Sequence, residues 1–365
     1  MSRLFSFLVL TLSSLCLPTA VAVSAQTTNE VTTAERSTNA FSQLICQRLD
    51  SLVQLPLMQR SQLGLCVYDL TMDSMLYAHG HQQRMRPASS MKVITAVTAL
   101  DKLGGDYQFS TQLYSTVAPT DSVLQGSLVA RGGFDPLFGR DDLRAFVEVL
   151  RQRGIRRITG DLVLDVSMKD TTSLGWGWCW DDKSKPLTPL IYRRNDSWAD
   201  HFYEHLGRAG ITLEGNIQRG TLPRGAQLLV ERKHSIDQVL HPMLKDSNNL
   251  CAEAMFYQLA ALSKRAYATY KDAAAQVQRV IAQCGLQPSD YLVADGSGLS
   301  LYNYVSAELE VQLLRFAYSQ PDIYNTLLPA LPVAGMDGTL RKRMRGTPAQ
   351  GNVHAKTGTV FGVSS

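Results

Sequence analysis

Arg86-Pro87-Ala88-Ser89-Ser90-Met91-Lys92-Val93-Ile94-Thr95-Ala96-Val97-Thr98-Ala99-Leu100 decides how the rest of the chain is read. Pro87 leads into a helix. Val93, Ile94, Val97 and Leu100 then recur at helical spacing until Gly104 and Gly105 stop the pattern. At the head of this segment Ser89 and Lys92 form an S-x-x-K. Residues three apart share one face of a helix, so the hydroxyl and the amine can meet. A serine hydroxyl is a weak nucleophile that needs a neighbouring base, and an amine serves only after losing its proton. Moving an amine from ~10.4 to near neutrality takes roughly 3 pH units, or about 4 kcal/mol of environmental bias. Burial and a second cation can supply it.

Two further elements lie downstream. Ser247-Asn248-Asn249 is an S-x-N ahead of a helix. There Ser247 could relay a proton to a leaving amine, and the Asn249 amide could hold a substrate backbone or orient Lys92. Lys356-Thr357-Gly358-Thr359 is a K-T-G on a predicted strand. Lys356 would bind a substrate carboxylate and discourage protonation of Lys92. Gly358 would let an extended peptide lie close along the strand edge. The backbone N–H groups of Ser89 and Thr359 are the candidates for an oxyanion hole, where one lost donor costs ~3–4 kcal/mol of transition-state stabilisation. Taken alone, an S-x-x-K usually just caps a helix, and a Lys beside a Gly usually marks a turn. The weight comes from all three occurring in order.

Around these motifs the chain alternates strands and helices. A helix is expected near residues 41–53, strands at 63–70 and 75–78, and a long helical region from Asn248 to about Cys284. Ser306 reads as the cap of a helix carrying Leu309, Leu313 and Phe316 on one face. Residues 352–363 read as a strand. Between residues 106 and 237 the character changes, with short β-rich pieces at 109–117, 127–130 and 161–164. Amphipathic helices near 142–151 and 197–206 accompany them. This segment reads as an inserted domain.

Composition fits a globular protein, with 45% hydrophobic and 19% charged residues. The formal charge of +4 is too small and dispersed to argue for a nucleic-acid partner. Residues 1–25 read as an export signal: Arg3, an apolar run from Leu4 to Leu17, and Val23-Ser24-Ala25 as cleavage site. No stretch has the ~18 consecutive apolar residues of a membrane span. The exported product is expected to be soluble, secreted to the periplasm or the cell wall. It would keep Cys46, Cys66, Cys179, Cys251 and Cys284, an odd count at wide spacing that fits neither a disulfide framework nor a zinc cluster.

S-x-x-K, S-D-N and K-T-G form the set shared by class A β-lactamases and penicillin-binding proteins. The sequence resembles the penicillin-binding protein 4-type D-alanyl-D-alanine carboxypeptidase/endopeptidase family (serine peptidase family S13) from about residue 60 onward. Arg86-Pro87-Ala88-Ser89, Lys245-Asp246-Ser247-Asn248-Asn249-Leu250, Asp295-Gly296-Ser297-Gly298-Leu299-Ser300, Gly338-Thr339-Leu340, Lys356-Thr357-Gly358-Thr359 and Gly160-Asp161-Leu162 resemble its blocks. The resemblance implies an α+β fold: a β-lactamase/DD-peptidase-like antiparallel sheet flanked by helices, with an inserted α/β domain. It implies a penicillin-binding domain formed by residues 26–105 and 238–365, interrupted by 106–237. It also implies an acyl-enzyme at Ser89, formed by peptidoglycan stem peptides and trapped by β-lactam antibiotics, with no cofactor. Asn248 replaces the usual Asp, Cys251 a frequent aromatic, and Leu301 an Arg that recognises a free carboxylate on the stem peptide. The family fold also has strands and a closing helix after the K-T-G strand, so those last elements are expected to be missing and the chain to be poorly stable or inactive.

His201-Phe202-Tyr203-Glu204-His205 matches the H-x-x-E-H of zinc peptidases and reads instead as a chance match on an amphipathic helix, with no metal expected. Trp176, Trp178 and Trp180 read as local packing before a glycan platform. Asp295 and Ser297 sit in a Gly-rich turn that either shapes the backbone or rims the site. No Glu in an E-x-x-L-N-like loop offers the base a β-lactamase needs. An esterase, a β-lactamase of the same fold, and an inactive wall-binding relative are the alternatives.

Overall fold

The computed structural model describes residues 40, 42–118, 122–182, 186–360 and 362–365. The export signal therefore lies outside the described residues. In chain order the elements are helix α1 (42–53), strands β1 (Leu65–Asp69) and β2 (Ser74–His79), helix α2 (Met91–Leu103), strands β3 (Gln108–Ser115), β4 (Val123–Leu124) and β5 (Leu128–Gly132), helix α3 (Arg140–Gln152), and strands β6 (Arg157–Ile158) and β7 (Leu162–Asp165). Helix α4 (Trp198–Arg208) follows, then β8 (Thr212–Leu213), β9 (Ile217–Gly220) and β10 (Gln227–Ser235). Helices α5 (Ile236–Lys245), α6 (Asn249–Ala261), α7 (Tyr270–Gln283), α8 (Ala307–Tyr318) and α9 (Pro321–Ala330) lead to β11 (Thr359–Val360) and β12 (Val363–Ser364).

Helix α2 is the centre of the first core. Every residue from Met91 to Leu100 is buried, and a helix buried all round must be wrapped by others. Helices α5, α6, α7, α8 and α9 do this, and α6 is itself buried from Leu250 to Ala260. The polar residues of α2 are accommodated through hydrogen bonds: Thr95 Oγ1 donates to Gly296 O at 2.8 Å and Thr98 Oγ1 to Ile94 O at 2.8 Å.

The segment between α2 and α5 builds a second core. Its five-stranded sheet has the order β10-β3-β5-β7-β9, antiparallel on the β10-β3-β5 side and parallel on the β5-β7-β9 side. A small parallel sheet, β4-β6-β8, lies beside it. Phe138, Phe146, Trp198 and Phe202 pack edge-on and stacked within this core. The mixed α+β character agrees with expectation. The antiparallel strands outside the insertion are, among the described residues, two separate hairpins, β1–β2 and β11–β12, with α8 packed on β1.

Two finer expectations differ. The helical region after Asn248 is broken at 262–269 into α6 and α7, where Lys264 and Tyr267 adopt left-handed φ values of 56° and 58°. The strand expected over 352–363 is regular strand only at β11 and at Val363, the first residue of β12, with His354 making an isolated antiparallel bridge to Val333. Residues 352–358 run as a turn and extended chain, with Ala334 N bonded to Val353 O and Ala355 N to Pro332 O.

Candidate active site

Ser89 lies in the 3₁₀ turn Ala88–Ser90 at the head of α2, just after Ala88, whose φ is 51°. Left-handed backbone in a residue with a side chain costs of order 1–3 kcal/mol and clusters where function over-determines it. Ser247 shares the feature, with φ 57°, and precedes Asn248, whose side chain caps α6 by accepting from Cys251 N. The middle residue of S-x-N is thus occupied by helix capping, away from the site. Cys251 is fully buried in the core.

Lys92 is fully buried, and its ammonium has three partners: Ser89 Oγ at 3.0 Å, Asn249 Oδ1 at 2.8 Å and Ser297 O at 2.7 Å. Burial pushes Lys92 down to about 8, against the opposing pull of Asp295 and Glu253. Lys356 Nζ donates to Ser247 Oγ at 2.9 Å and bonds Thr357 O. Burial and then the Lys92 charge push Lys356 down to about 7. Burial thus dominates both lysines.

The K-T-G strand passes directly over the nucleophile turn. A Cβ on Gly358 would lie 2.9 Å from both Ser89 N and Pro87 O. The glycine is required by the approach of strand to turn, a different reason from room for substrate. Gly358 and Ser365 exchange both N–H···O bonds at 2.9 Å. In an antiparallel ladder the next residue, Thr359, therefore turns its N–H to the opposite edge, while its hydroxyl donates to Gly358 O at 2.8 Å. Thr357 Oγ1 meets Thr339 Oγ1 at 3.0 Å. All eight candidate residues, Ser89, Lys92, Ser247, Asn249, Lys356, Thr357, Gly358 and Thr359, lie at or beside one junction of α2, α6 and β11.

Residues the motif reading left aside form the floor. Asp295 is buried and accepts from Trp178 Nε1 at 2.7 Å, Gly298 N at 2.8 Å, Ser300 N at 2.6 Å and Asn303 Nδ2 at 2.7 Å. Glu253, also buried, accepts from Ser297 N at 2.8 Å and Gly296 N at 3.2 Å. The loop so held presents Ser297 O to Lys92. A Cβ on Gly298 (φ 79°) would sit 1.7 Å from Ala88 O, so the loop also abuts the nucleophile turn. Asp295 is a hub beneath the site instead of its rim, and Trp178 packs into that hub. Trp176 stacks on Tyr270 at 4.9 Å. In the H-x-x-E-H segment, Glu204 pairs with Arg208 and lies 3.6 Å from His201 Nδ1. Among the described residues no group of three or more His, Cys, Asp or Glu could hold a metal.

A serine whose hydroxyl meets a buried, neutralisable lysine, flanked by S-x-N and K-T-G, defines an active-site-serine hydrolase of the penicillin-recognising class. The chain belongs to the D-Ala-D-Ala carboxypeptidase 3 (S13) family, whose model matches residues 45–195 and 191–365, and its class of activity is the family's serine-type carboxypeptidase chemistry. It is 26% identical over 415 residues to a D-alanyl-D-alanine carboxypeptidase from an Actinomadura species, covering 87% of this chain and 76% of the relative. Penicillin-binding protein 4 (dacB) from Haemophilus influenzae shares its fold at a TM-score of 0.76 and 24% identity, covering 81% of this chain and 84% of that one. A second structure of that Haemophilus protein, complexed with a β-lactam, matches at a TM-score of 0.68, also at 24% identity, covering 81% of this chain and 83% of that one. No helix among the described residues is long and apolar enough to cross a membrane.

Proposed function

We propose that Ser89 is the nucleophile of a D-Ala-D-Ala carboxypeptidase/endopeptidase and Lys92 its general base. The observation that carries this reading is the 3.0 Å contact between Lys92 Nζ and Ser89 Oγ inside a buried pocket that favours the neutral amine. Neutral Lys92 takes the Ser89 proton as Oγ attacks the carbonyl carbon of the penultimate D-alanine. The oxyanion is held by the N–H groups of Ser89 and Thr359. The amine of the terminal D-alanine leaves with a proton passed from Lys92 through Ser247. Water then hydrolyses the acyl-enzyme by the same route in reverse.

Lys356, Thr357 and Gly358 receive the substrate's terminal carboxylate, which restores a positive Lys356 on binding. Asn249 keeps Lys92 aimed at Ser89. β-Lactams mimic the scissile amide and stop at the acyl stage. Glu253 is occupied by Gly296 and Ser297 N–H groups, which argues against a second base for β-lactam hydrolysis. The export signal places this chemistry in the periplasm or at the cell wall, and residues 106–237 form the inserted domain.

Mass spectrometry after benzylpenicillin treatment tests the assignment. A stoichiometric adduct on Ser89, absent in Ser89→Ala, is the expected result, together with D-alanine release from a pentapeptide. Acylation of the parent should rise as pH goes from 6 toward 8, because the base works as the neutral amine. A Ser89→Ala protein that still releases D-alanine would overturn it.

A further inference from the structure

Beside the nucleophile, on the side of the turn away from Lys92, lies an acid that the mechanism does not use. Glu310, on α8, is buried and is hydrogen-bonded to Ser90 Oγ. Ser90 Oγ also lies 2.8 Å from Pro87 O. The protons can be counted. A carbonyl oxygen only accepts, and Ser90 has one hydroxyl proton to give. If Glu310 were a carboxylate, that single proton would face two acceptors, one of them a buried anion.

No cation compensates such an anion. Among the described residues, Arg86 directs Nε to Leu301 O at 3.1 Å, His354 Nδ1 lies 3.2 Å from Leu328 O, and Lys356 is engaged by Ser247 and Thr357. On α8 itself, Arg315 pairs with Asp73, and Glu308, two residues before Glu310, adds another negative charge. Of the remaining titratable neighbours, Tyr318 and Tyr324 pack edge to face on each other, while from β1 Tyr68 donates to Asp73 and Cys66 is a buried thiol. An unpaired buried carboxylate is far costlier than the neutral acid.

We propose that Glu310 is held as a neutral carboxylic acid and is a positioning residue for the nucleophile: it donates to Ser90 Oγ, which donates in turn to Pro87 O. The relay pins the turn in which Ala88 is left-handed and Ser89 is aimed at Lys92. Burial, opposed only by the Ser90 hydrogen bond, raises Glu310 to about 7. Above that pH the acid loses its proton, Ser90 turns its hydroxyl to the carboxylate, and Pro87 O loses one of its two hydroxyl donors, keeping Ser365 Oγ at 2.9 Å.

This rests on Ser89 being the nucleophile, and the experiment separates the two ideas. Acylation rates with a fluorescent penicillin are measured from pH 6 to 9 for the parent, Glu310→Gln, Ser90→Ala and Ser89→Ala. A glutamine amide donates at every pH, so at pH 6 the Glu310→Gln rate should stay within about twofold of the parent. The ratio of parent to Glu310→Gln rates should then fall about fivefold by pH 9, the worth of one hydrogen bond. That ratio cancels the rising limb set by Lys92. Ser90→Ala should lose about fivefold at pH 6 and show no further alkaline loss. Parallel pH profiles for the parent and Glu310→Gln would overturn the relay, as would an alkaline loss that persists in Ser90→Ala. Labelling of Ser89→Ala at any pH would instead sink the nucleophile assignment.

Discussion

Glu253 shows at the scale of one residue how burial is turned into chemistry. Its carboxyl is raised to about 8 by burial and by the neighbouring Asp295 charge, despite its hydrogen bonds from the loop at Gly296 and Ser297. A raised acid binds more protons folded than unfolded, so it erodes stability as pH climbs from its ordinary value near 4.5 to about 8. Glu253→Gln keeps an oxygen to accept from both N–H groups and cannot ionise. Its melting temperature relative to the parent should therefore increase progressively from pH 5 to pH 8, read by thermal scans in matched buffers. A constant offset across that range would show that Glu253 keeps an ordinary acidity. Such a role was invisible in the sequence, where no motif includes Glu253. Ser89 and Lys92 were legible because their spacing follows helix geometry, and Ser247 and Asn249 because they form a short motif just ahead of a helix. The partners of Glu253 and Glu310 are set by packing across distant stretches of chain.

At the scale of elements, local signals were the dependable ones. Ser306 caps α8 by accepting from Leu309 N, and the run after Lys92 forms α2 as its periodicity requires. Strand β10 and helix α9 passed unread: β10 is largely polar and half-exposed, and α9 opens and nearly closes on prolines. The connection that matters most between elements is the one from the inserted segment to the site floor, Trp178 Nε1 to Asp295. Trp178→Phe keeps the ring and deletes the donor, leaving a buried carboxylate short of one partner, at a cost of about 1–3 kcal/mol. Because that carboxylate also orders the loop that presents Ser297 O, the same variant should slow acylation about tenfold. Stability lost with an unchanged acylation rate would reduce the contact to a structural tie.

For the whole molecule the question is how the two cores divide the work. The core around α2 takes Phe109, Phe134, Leu187 and Ile191 from the inserted segment, and Gln258 Nε2 reaches Gly133 O at 2.7 Å. The insertion is thus sewn onto the catalytic part along several contacts, although it has a separate aromatic core. Phe146, fully buried there, supplies the test. Phe146→Ala should cost about 3–5 kcal/mol. In a thermal scan the second core should melt first while penicillin labelling survives at temperatures just above that step. Simultaneous loss of both signals would mean one cooperative unit.

Cys179 stands exposed in the chain between Trp178 and Trp180, while Cys66 and Cys251 are sealed inside and Cys46 and Cys284 are half-covered. A thiol-seeking dye would attach there first, one residue from the indole that grips the loop under Lys92. The molecule thereby carries a native handle for an optical reporter: a fluorophore on that sulfur should change brightness when an antibiotic or a stem peptide settles into the cleft.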